Sequence, residues 1–143
     1  MNALPPGYEL TSDPAQIDAA AAQAYLTRSY WSPGIPLETV ARAIANSLCV
    51  AVHHRGEQVA MARVVTDLAT MAYLADVYVL EEHRGRGLSK AMLAHLHARP
   101  DLQGLRRWLL FTRDAHSLYE RFGWTSLAHP ERAMLQDHPD IYA

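Results

Sequence analysis

The sequence predicts a single α/β domain with a mixed sheet. Its 143 residues are an ordinary length for one domain. The apolar pattern is helical through about residue 46 and extended between residues 48 and 80. Up to residue 112, the pattern then predicts a strand, a glycine-containing loop, a helix and another strand. We therefore expect one domain over residues 1–143, with a central sheet of about six to seven strands flanked by about four helices.

The first half of the chain is expected to supply an edge strand, two helices and a run of strands. Asp13-Pro14 is a typical helix start, because an acidic cap precedes a proline in the first turn. The loop at 29–36 contains Pro and Gly together with two aromatic rings, Tyr30 and Trp31. The expected elements are a strand at 7–10, helices at 13–28 and 37–46, and strands at 48–52, 58–66 and 71–80.

The second half contains shorter elements. Apolar residues recur at helical spacing from Leu88, after the Arg-Gly-Arg-Gly loop, and Gly123 is a helix stop signal. The expected elements are a helix from Leu88, a strand at 105–112, a helix at 115–122, and strands at 124–127 and 132–136.

Charge is distributed unevenly along the chain. The whole sequence carries 13 Lys and Arg against 15 Asp and Glu, for a formal net charge of −2. Residues 84–107 carry +5 and all other residues together carry −7. A solvated helix face would explain such a segment, but one basic segment in an acidic protein also indicates an anionic ligand there. The near-equal numbers of basic and acidic residues exclude a polybasic tail.

Several classes of protein are excluded by composition. Cys49 is the sole cysteine, so the chain has no intramolecular disulfide and no Cys-rich zinc site, and the residue is expected to be a packed thiol. The eight histidines show no metal-ligand spacing, so no metal is expected. The start of the chain lacks a signal-peptide pattern, and no apolar run reaches the ~18 residues of a membrane span. We expect a cytoplasmic protein.

The segment from Arg84 to Ser89 is the most informative part of the sequence. Gly85 and Gly87 allow a sharp backbone turn that brings N–H groups close to a ligand. The helix that follows adds a partial positive charge at its N-terminus. Arg84, Arg86 and Lys90 add full charges, which together favour a phosphate or pyrophosphate. An ordinary tight turn with surface arginines is the alternative.

Two motifs give the chain a family resemblance. The run from Tyr73 to Leu93 resembles the acetyl-CoA-binding motif of the GNAT superfamily of N-acetyltransferases, which here takes the form Arg84-x-x-Gly87-x-Ser89. A second run, from Ala115 through Tyr119 to Gly123 and Trp124, resembles the family's Ala-x-x-x-Tyr-x-x-x-Gly-Phe pattern. Nearly the whole order of helices and strands also fits. The resemblance implies the GNAT fold.

The resemblance further implies acetyl transfer from acetyl-CoA to a primary amine by direct attack in a ternary complex. A strand N–H in Val77 to Val79 would polarise the thioester carbonyl. Tyr119 would protonate the leaving thiolate, unless it only packs in the core. The resemblance also implies a set of cofactor-binding residues, which comprises Val77, Val79, Arg84, Gly85, Arg86, Gly87, Leu88, Ser89 and Thr112. Thr112 stands where many members carry Asn.

The residues that would bind and deprotonate the amine are less fully defined. Tyr73-Leu-Ala75-Asp76 is similar to Tyr-Leu-Glu-Asp in the polyamine branch of the family, whose Glu is a proposed base, but this chain has Ala75 there. Asp76 is our first candidate for base or ammonium anchor, with a structural carboxylate as the alternative. Tyr30, Trp31 and Tyr73 are expected to line the acceptor site or cover the core. The weaker candidates for the base are Asp67, Glu38 and His53.

Two other functions remain open from the sequence. Ala75 is compatible with a non-catalytic acyl-CoA sensor or partner-binding module of the same fold. An acetylase of charged tRNA would need a broad basic face, which this acidic protein lacks. The expected partners are therefore a small-molecule or peptide amine, with no nucleic acid, no membrane and a possible homodimer.

Overall fold

A computed structural model describes residues 4–143 of the chain. In this part, five strands form one sheet in the order β1-β2-β3-β4-β5. Neighbouring strands are antiparallel except β4 and β5, which are parallel. The strands are β1 (Tyr8–Thr11), β2 (Leu48–His54), β3 (Glu57–Thr66), β4 (Met71–Val79) and β5 (Arg107–Leu109). The helices are α1 (Ala19–Leu26), α2 (Leu37–Ala45), α3 (Leu88–Ala98) and α4 (His116–Glu120).

The start of α1 lies later than the sequence predicts. Asp13 caps only a short 3-10 turn, Pro14–Gln16, by accepting a hydrogen bond from the Ala15 N–H. The α-helix begins after Asp18, whose carboxylate accepts the Ala21 N–H at 3.0 Å. Asp13 and Asp18 are therefore two successive N-caps. The first begins the 3-10 turn and the second begins α1.

Helices cover both faces of the sheet. On one face, Val50, Val52 and Val59 pack with Met92 and Leu96 of α3 in the larger buried cluster. A second cluster joins α1 and α2 to the opposite face and contains Leu26, Val40, Met61 and Tyr78. β2 and β3 are buried on both sides, which is why their sequences are nearly continuous apolar runs. Cys49 lies in this core, and burial raises the pKa of its thiol to about 11.

The prediction of six to seven strands is too high: five form in the described residues. The expected strand at 105–112 shortens to Arg107–Leu109, because β5 pairs with β4 only over Met71–Tyr73. Residues 124–127 and 132–136 form no strand. Met134 and Leu135 are adjacent and both exposed, so this segment has no alternating apolar face to bury against a sheet.

Among residues 4–143, no helix is both long and apolar enough to cross a membrane.

Candidate active site

A bulge in β4 creates the site. The β3–β4 register shifts between Met61 and Arg63, so that Asp76 and Val77 together lie opposite a single residue of β3. Asp76 has a φ of +54°, in the left-handed region that few residues other than glycine adopt. Such bulges are over-represented beside active sites, where they redirect a strand.

The end of β4 leaves a backbone donor facing the space beyond the end of β5. The Leu80 N–H donates to the Val59 carbonyl of β3 at 2.9 Å. Successive residues of a regular strand alternate in direction, so the N–H of Val79 points away from β3. The β4–β5 ladder stops at Tyr73, before Val77 and Val79. Both valines line the resulting opening.

The glycine loop, residues 84–89, leads into α3 beside this opening. Gly87 is the residue before the helix and has a φ of +78°. The first intrahelical bond runs from the Ala91 N–H to the Gly87 carbonyl, so the N–H groups of Leu88 and Ser89 have no acceptor within the helix. Apart from adjoining residues of the chain, no described atom lies within 4 Å of a Cβ built on Gly85 or Gly87. The loop backbone is therefore accessible to an anion.

The two loop arginines have different surroundings. The Arg84 Nε donates to the Val79 carbonyl at 3.0 Å and its Nη2 donates to the Tyr25 hydroxyl at 3.0 Å. Arg84 thus joins the loop to the end of β4 and to α1 while still lining the opening. The Arg86 guanidinium lies 6.0 Å from the Tyr8 ring centroid and is not part of that lining. The sequence did not distinguish the two.

Two adjoining cavities meet above the bulge. The glycine-loop cavity has a volume of about 810 Å³ and is lined by Val79, the glycine loop without Arg86, and Lys90. The bulge cavity has a volume of about 550 Å³ and is lined by Tyr73, Ala75 and Asp76 among others. Their shared lining residues are Tyr30, Trp31, Val77, Arg113, Asp114, Ala115 and Tyr119. This arrangement can bring two ligands together at Val77 and Tyr119.

Tyr119 lies at the junction of these cavities. It is 8% exposed, packs in the larger core cluster, and contacts the Trp124 ring at 5.9 Å between centroids. Within residues 4–143, its hydroxyl forms no side-chain hydrogen bond. Burial, with a smaller contribution from Tyr30, raises the pKa of the phenol to about 12. Tyr119 therefore holds its proton through neutral and moderately alkaline pH.

Asp76 holds the loop between α1 and α2 in place. Its Oδ1 accepts the Trp31 Nε1–H at 2.9 Å and its Oδ2 accepts the Arg63 Nε–H at 2.8 Å. The side chains of Arg63 and Asp76 are only 16% and 11% exposed. Both carboxylate oxygens are thus engaged by the protein itself, as expected for a structural carboxylate.

Tyr30 joins the same loop to the segment after β5. The Arg113 N–H donates to the Tyr30 hydroxyl at 3.0 Å, and the Arg113 guanidinium lies 4.0 Å from the ring centroid. Together with Trp31, this contact holds residues 29–36, the aromatic loop, over the junction of the cavities.

The remaining predicted residues either line the bulge cavity or lie outside both cavities. Tyr73 and Thr112 line the bulge cavity, and the Thr112 hydroxyl also accepts the Ala115 N–H at 3.1 Å before α4. Thr112 is not part of the glycine-loop cavity. The weaker base candidates Asp67, Glu38 and His53 line neither cavity.

Sequence reasoning missed Arg63, Phe111 and Arg113, which all line the bulge cavity. A signal existed for Arg63, because an arginine inside an apolar strand needs a partner. Phe111 and Arg113 gave none, because only the end of β5 brings them to the site. No group of three or more His, Cys, Asp or Glu in the described residues is arranged to hold a metal.

The fold, a mixed α/β sheet with helices on both faces, is that of a known protein family. Residues 45–126 match the family described as acetyltransferase (GNAT) domain. The chain therefore belongs to the GNAT acetyltransferase family.

Relatives support this assignment. An inferred acetyltransferase of Gibberella zeae is 32% identical, in a match that covers 78% of this chain and 75% of the relative. The crystal structure of an inferred GNAT acetyltransferase from Xanthomonas campestris pv. campestris is 46% identical, with a TM-score of 0.92 over 96% of this chain and 98% of that one.

A more distant structure shows the fold alone. It is an acetyltransferase-like protein from Clostridium acetobutylicum, with acetyl-CoA, at 15% identity. Its TM-score is 0.66 over 92% of this chain and 94% of that one.

Proposed function

We propose that this protein transfers an acetyl group from acetyl-CoA to a primary amine in a ternary complex. The observation that carries the proposal is the junction of the two cavities at Val77 and Tyr119. The glycine-loop cavity would take the cofactor and the bulge cavity the amine.

The glycine-loop cavity fits the phosphates of acetyl-CoA. The glycine loop is accessible and includes the N–H groups of Leu88 and Ser89, which have no acceptor within the helix. The 11-residue α3 begins here, so the positive end of its dipole lies at the same place. Lys90 adds a cation to the lining. Arg84 fixes the loop against β4 and α1, so its role includes positioning as well as charge. These residues offer backbone donors and positive charge to an anion.

Acetyl-CoA supplies a thioester, whose carbonyl carbon bonds to the amine nitrogen while its C–S bond breaks and sulfur keeps the electron pair. The N–H of Val77 or Val79 donates to the carbonyl oxygen as negative charge develops there. Tyr119 donates its hydroxyl proton to the sulfur and recovers a proton from solvent. The amine nitrogen releases its surplus proton to water.

A direct test measures thiol release from acetyl-CoA against a library of amines, with mass spectrometry of the products. We expect an acetylated amine in amounts equal to the thiol released. A calorimetric titration of acetyl-CoA accompanies it, and the absence of saturable binding at millimolar cofactor would overturn the proposal. The library includes both small-molecule and peptide amines. A homodimer is a separate prediction, which size-exclusion chromatography would test.

A non-catalytic acyl-CoA-binding module is the second candidate. Ala75 and the full engagement of Asp76 favour it, because neither residue supplies a carboxylate that could deprotonate an amine. Saturable acetyl-CoA binding without transfer to any amine would support this candidate.

A further inference from the structure

Exposed aromatic rings are concentrated in the bulge cavity. Phe111 is 63% exposed, Tyr30 47% and Trp31 38%, and all three line this cavity. Tyr73 completes the set, with its ring centroid 6.1 Å from that of Phe111 in an edge-to-face arrangement. Large apolar surfaces left exposed together generally mark a binding site.

The rings come from three separate parts of the fold. Tyr30 and Trp31 lie on the aromatic loop, Tyr73 on β4, and Phe111 on the segment after β5. The aromatic loop is fixed at both rings, by the bonds of Trp31 to Asp76 and of Arg113 to Tyr30. The cavity therefore has a preformed aromatic lining, the usual basis for binding a flat apolar group.

The charges in this lining are already paired. Arg63 pairs with Asp76 at 2.8 Å, and Arg113 pairs with Asp114 at 3.5 Å. Two cations and two anions thus leave the cavity without net charge. The lining therefore offers no excess of carboxylates to a polyamine and no excess of arginines to an acceptor with a carboxylate or phosphate.

We propose that the acceptor is a primary amine joined by a short linker to an aromatic body, with Phe111 and Tyr73 binding that body. The inference rests on the proposed function and names its substrate class. A cavity of about 550 Å³ accommodates a one- or two-ring amine.

The test compares kcat/KM for matched amines with acetyl-CoA held at saturation. 2-Phenylethylamine and tryptamine represent the proposed class. Phenylalanine adds a carboxylate to the same ring, hexylamine removes the ring, and spermidine adds charge. We expect the aromatic amines to exceed each of the other three by at least tenfold. A higher kcat/KM for spermidine, hexylamine or phenylalanine would overturn the acceptor class and leave the proposed function intact.

A variant pair locates the binding surface. Phe111→Ala should lower kcat/KM for 2-phenylethylamine about tenfold while the Kd for acetyl-CoA stays constant. The matched control is Leu127→Ala, which removes another exposed apolar side chain outside the bulge cavity. Equal effects of the two variants would overturn the role of Phe111.

A binding measurement separates this inference from the proposed function. NMR titration of 2-phenylethylamine into CoA-saturated protein requires no turnover. Binding that weakens in Phe111→Ala supports the aromatic-amine site even if no acetyl transfer occurs. No saturable binding to the native protein at millimolar amine, together with no turnover of aromatic amines, overturns it.

Discussion

Arg113 contacts Tyr30 in two ways: its backbone N–H donates to the Tyr30 hydroxyl at 3.0 Å, and its guanidinium lies 4.0 Å from the ring centroid. The two residues belong to loops 83 positions apart in the chain. Their contact lies where the glycine-loop cavity meets the bulge cavity, so it fixes the aromatic loop beside Val77 and Tyr119.

Removing this contact should loosen the aromatic loop. Tyr30→Ala loses both the hydrogen bond and the cation–π contact, which together are worth about 1–2 kcal/mol. We expect amide hydrogen exchange in residues 29–36 to accelerate by roughly tenfold. Arg113→Ala keeps the backbone N–H and should have a smaller effect. Arg106→Ala is the matched arginine control, and unchanged exchange in Tyr30→Ala would contradict the assignment.

Tyr119→Phe tests proton donation to the thiolate. The ring still packs in the core, so the fold should persist, while kcat should fall by about 10²–10⁴ with little change in the Kd for acetyl-CoA. Tyr142→Phe controls for loss of a phenol elsewhere. An unchanged kcat would leave Tyr119 as a packing residue.

The pH profile gives an independent measurement on the same residue. Burial raises the pKa of Tyr119 to about 12, so its acid form persists well above neutrality. Native kcat should therefore not decline between pH 7 and 10 through ionisation of this phenol. A decline over that range that disappears in Tyr119→Phe would contradict the raised pKa.

Gly87→Ala should weaken cofactor binding specifically. A φ of +78° costs an alanine about 1–2 kcal/mol, so the glycine loop must shift or destabilise the protein. Gly56 in the β2–β3 turn has a similar φ of +82° and similarly open surroundings, which makes Gly56→Ala the matched control. Both variants should lose comparable stability. Only Gly87→Ala should raise the Kd for acetyl-CoA, by about tenfold in titration calorimetry.

Asp76→Ala should destabilise the fold. It leaves the largely buried Arg63 without its carboxylate partner and with only the Ser47 hydroxyl as acceptor, at a cost of about 3 kcal/mol in urea unfolding. Asp76→Asn keeps an acceptor oxygen and should cost less. The exposed Arg113–Asp114 pair supplies the control, since Asp114→Ala should cost at most about 1 kcal/mol. Loss of kcat in Asp76→Asn at unchanged stability would make Asp76 a catalytic carboxylate instead.

Asp67 should contribute stability at neutral pH that declines in acid. Hydrogen bonds from the Thr70 hydroxyl, then from the Thr70 and Ala69 N–H groups, hold the pKa of its carboxyl well below the ordinary value. A depressed folded-state pKa stabilises above the unfolded value, near pH 4, and the contribution declines as pH falls below it. Asp67→Ala should lower Tm at pH 7 more than at pH 3. Asp137→Ala is the control, and an equal loss at both pH values would contradict the linkage.

Local signals predicted most of the fold. The apolar runs of β2, β3 and β4 and the helical spacing of α3 matched elements within a few residues, because burial on the sheet fixes those patterns. The strands expected at 124–127 and 132–136 were wrong, and neither segment pairs with β5, the last strand of the sheet. The late start of α1 followed from a competing cap at Asp18.

The sequence by itself determined the GNAT fold class, the glycine loop and the identity of Tyr119 as a site candidate, because each depends on residues close together in the chain. Only the tertiary structure decided how Asp76 is used, which arginine faces the glycine-loop cavity, and that Phe111 and Arg113 belong to the site. Those facts depend on the β4 bulge and the early end of β5, which bring distant segments together. The residues outside 84–107 carry a net charge of −7. The paired charges around Asp76 leave a neutral aromatic cavity, because local pairing rather than net charge sets the field in a small cavity.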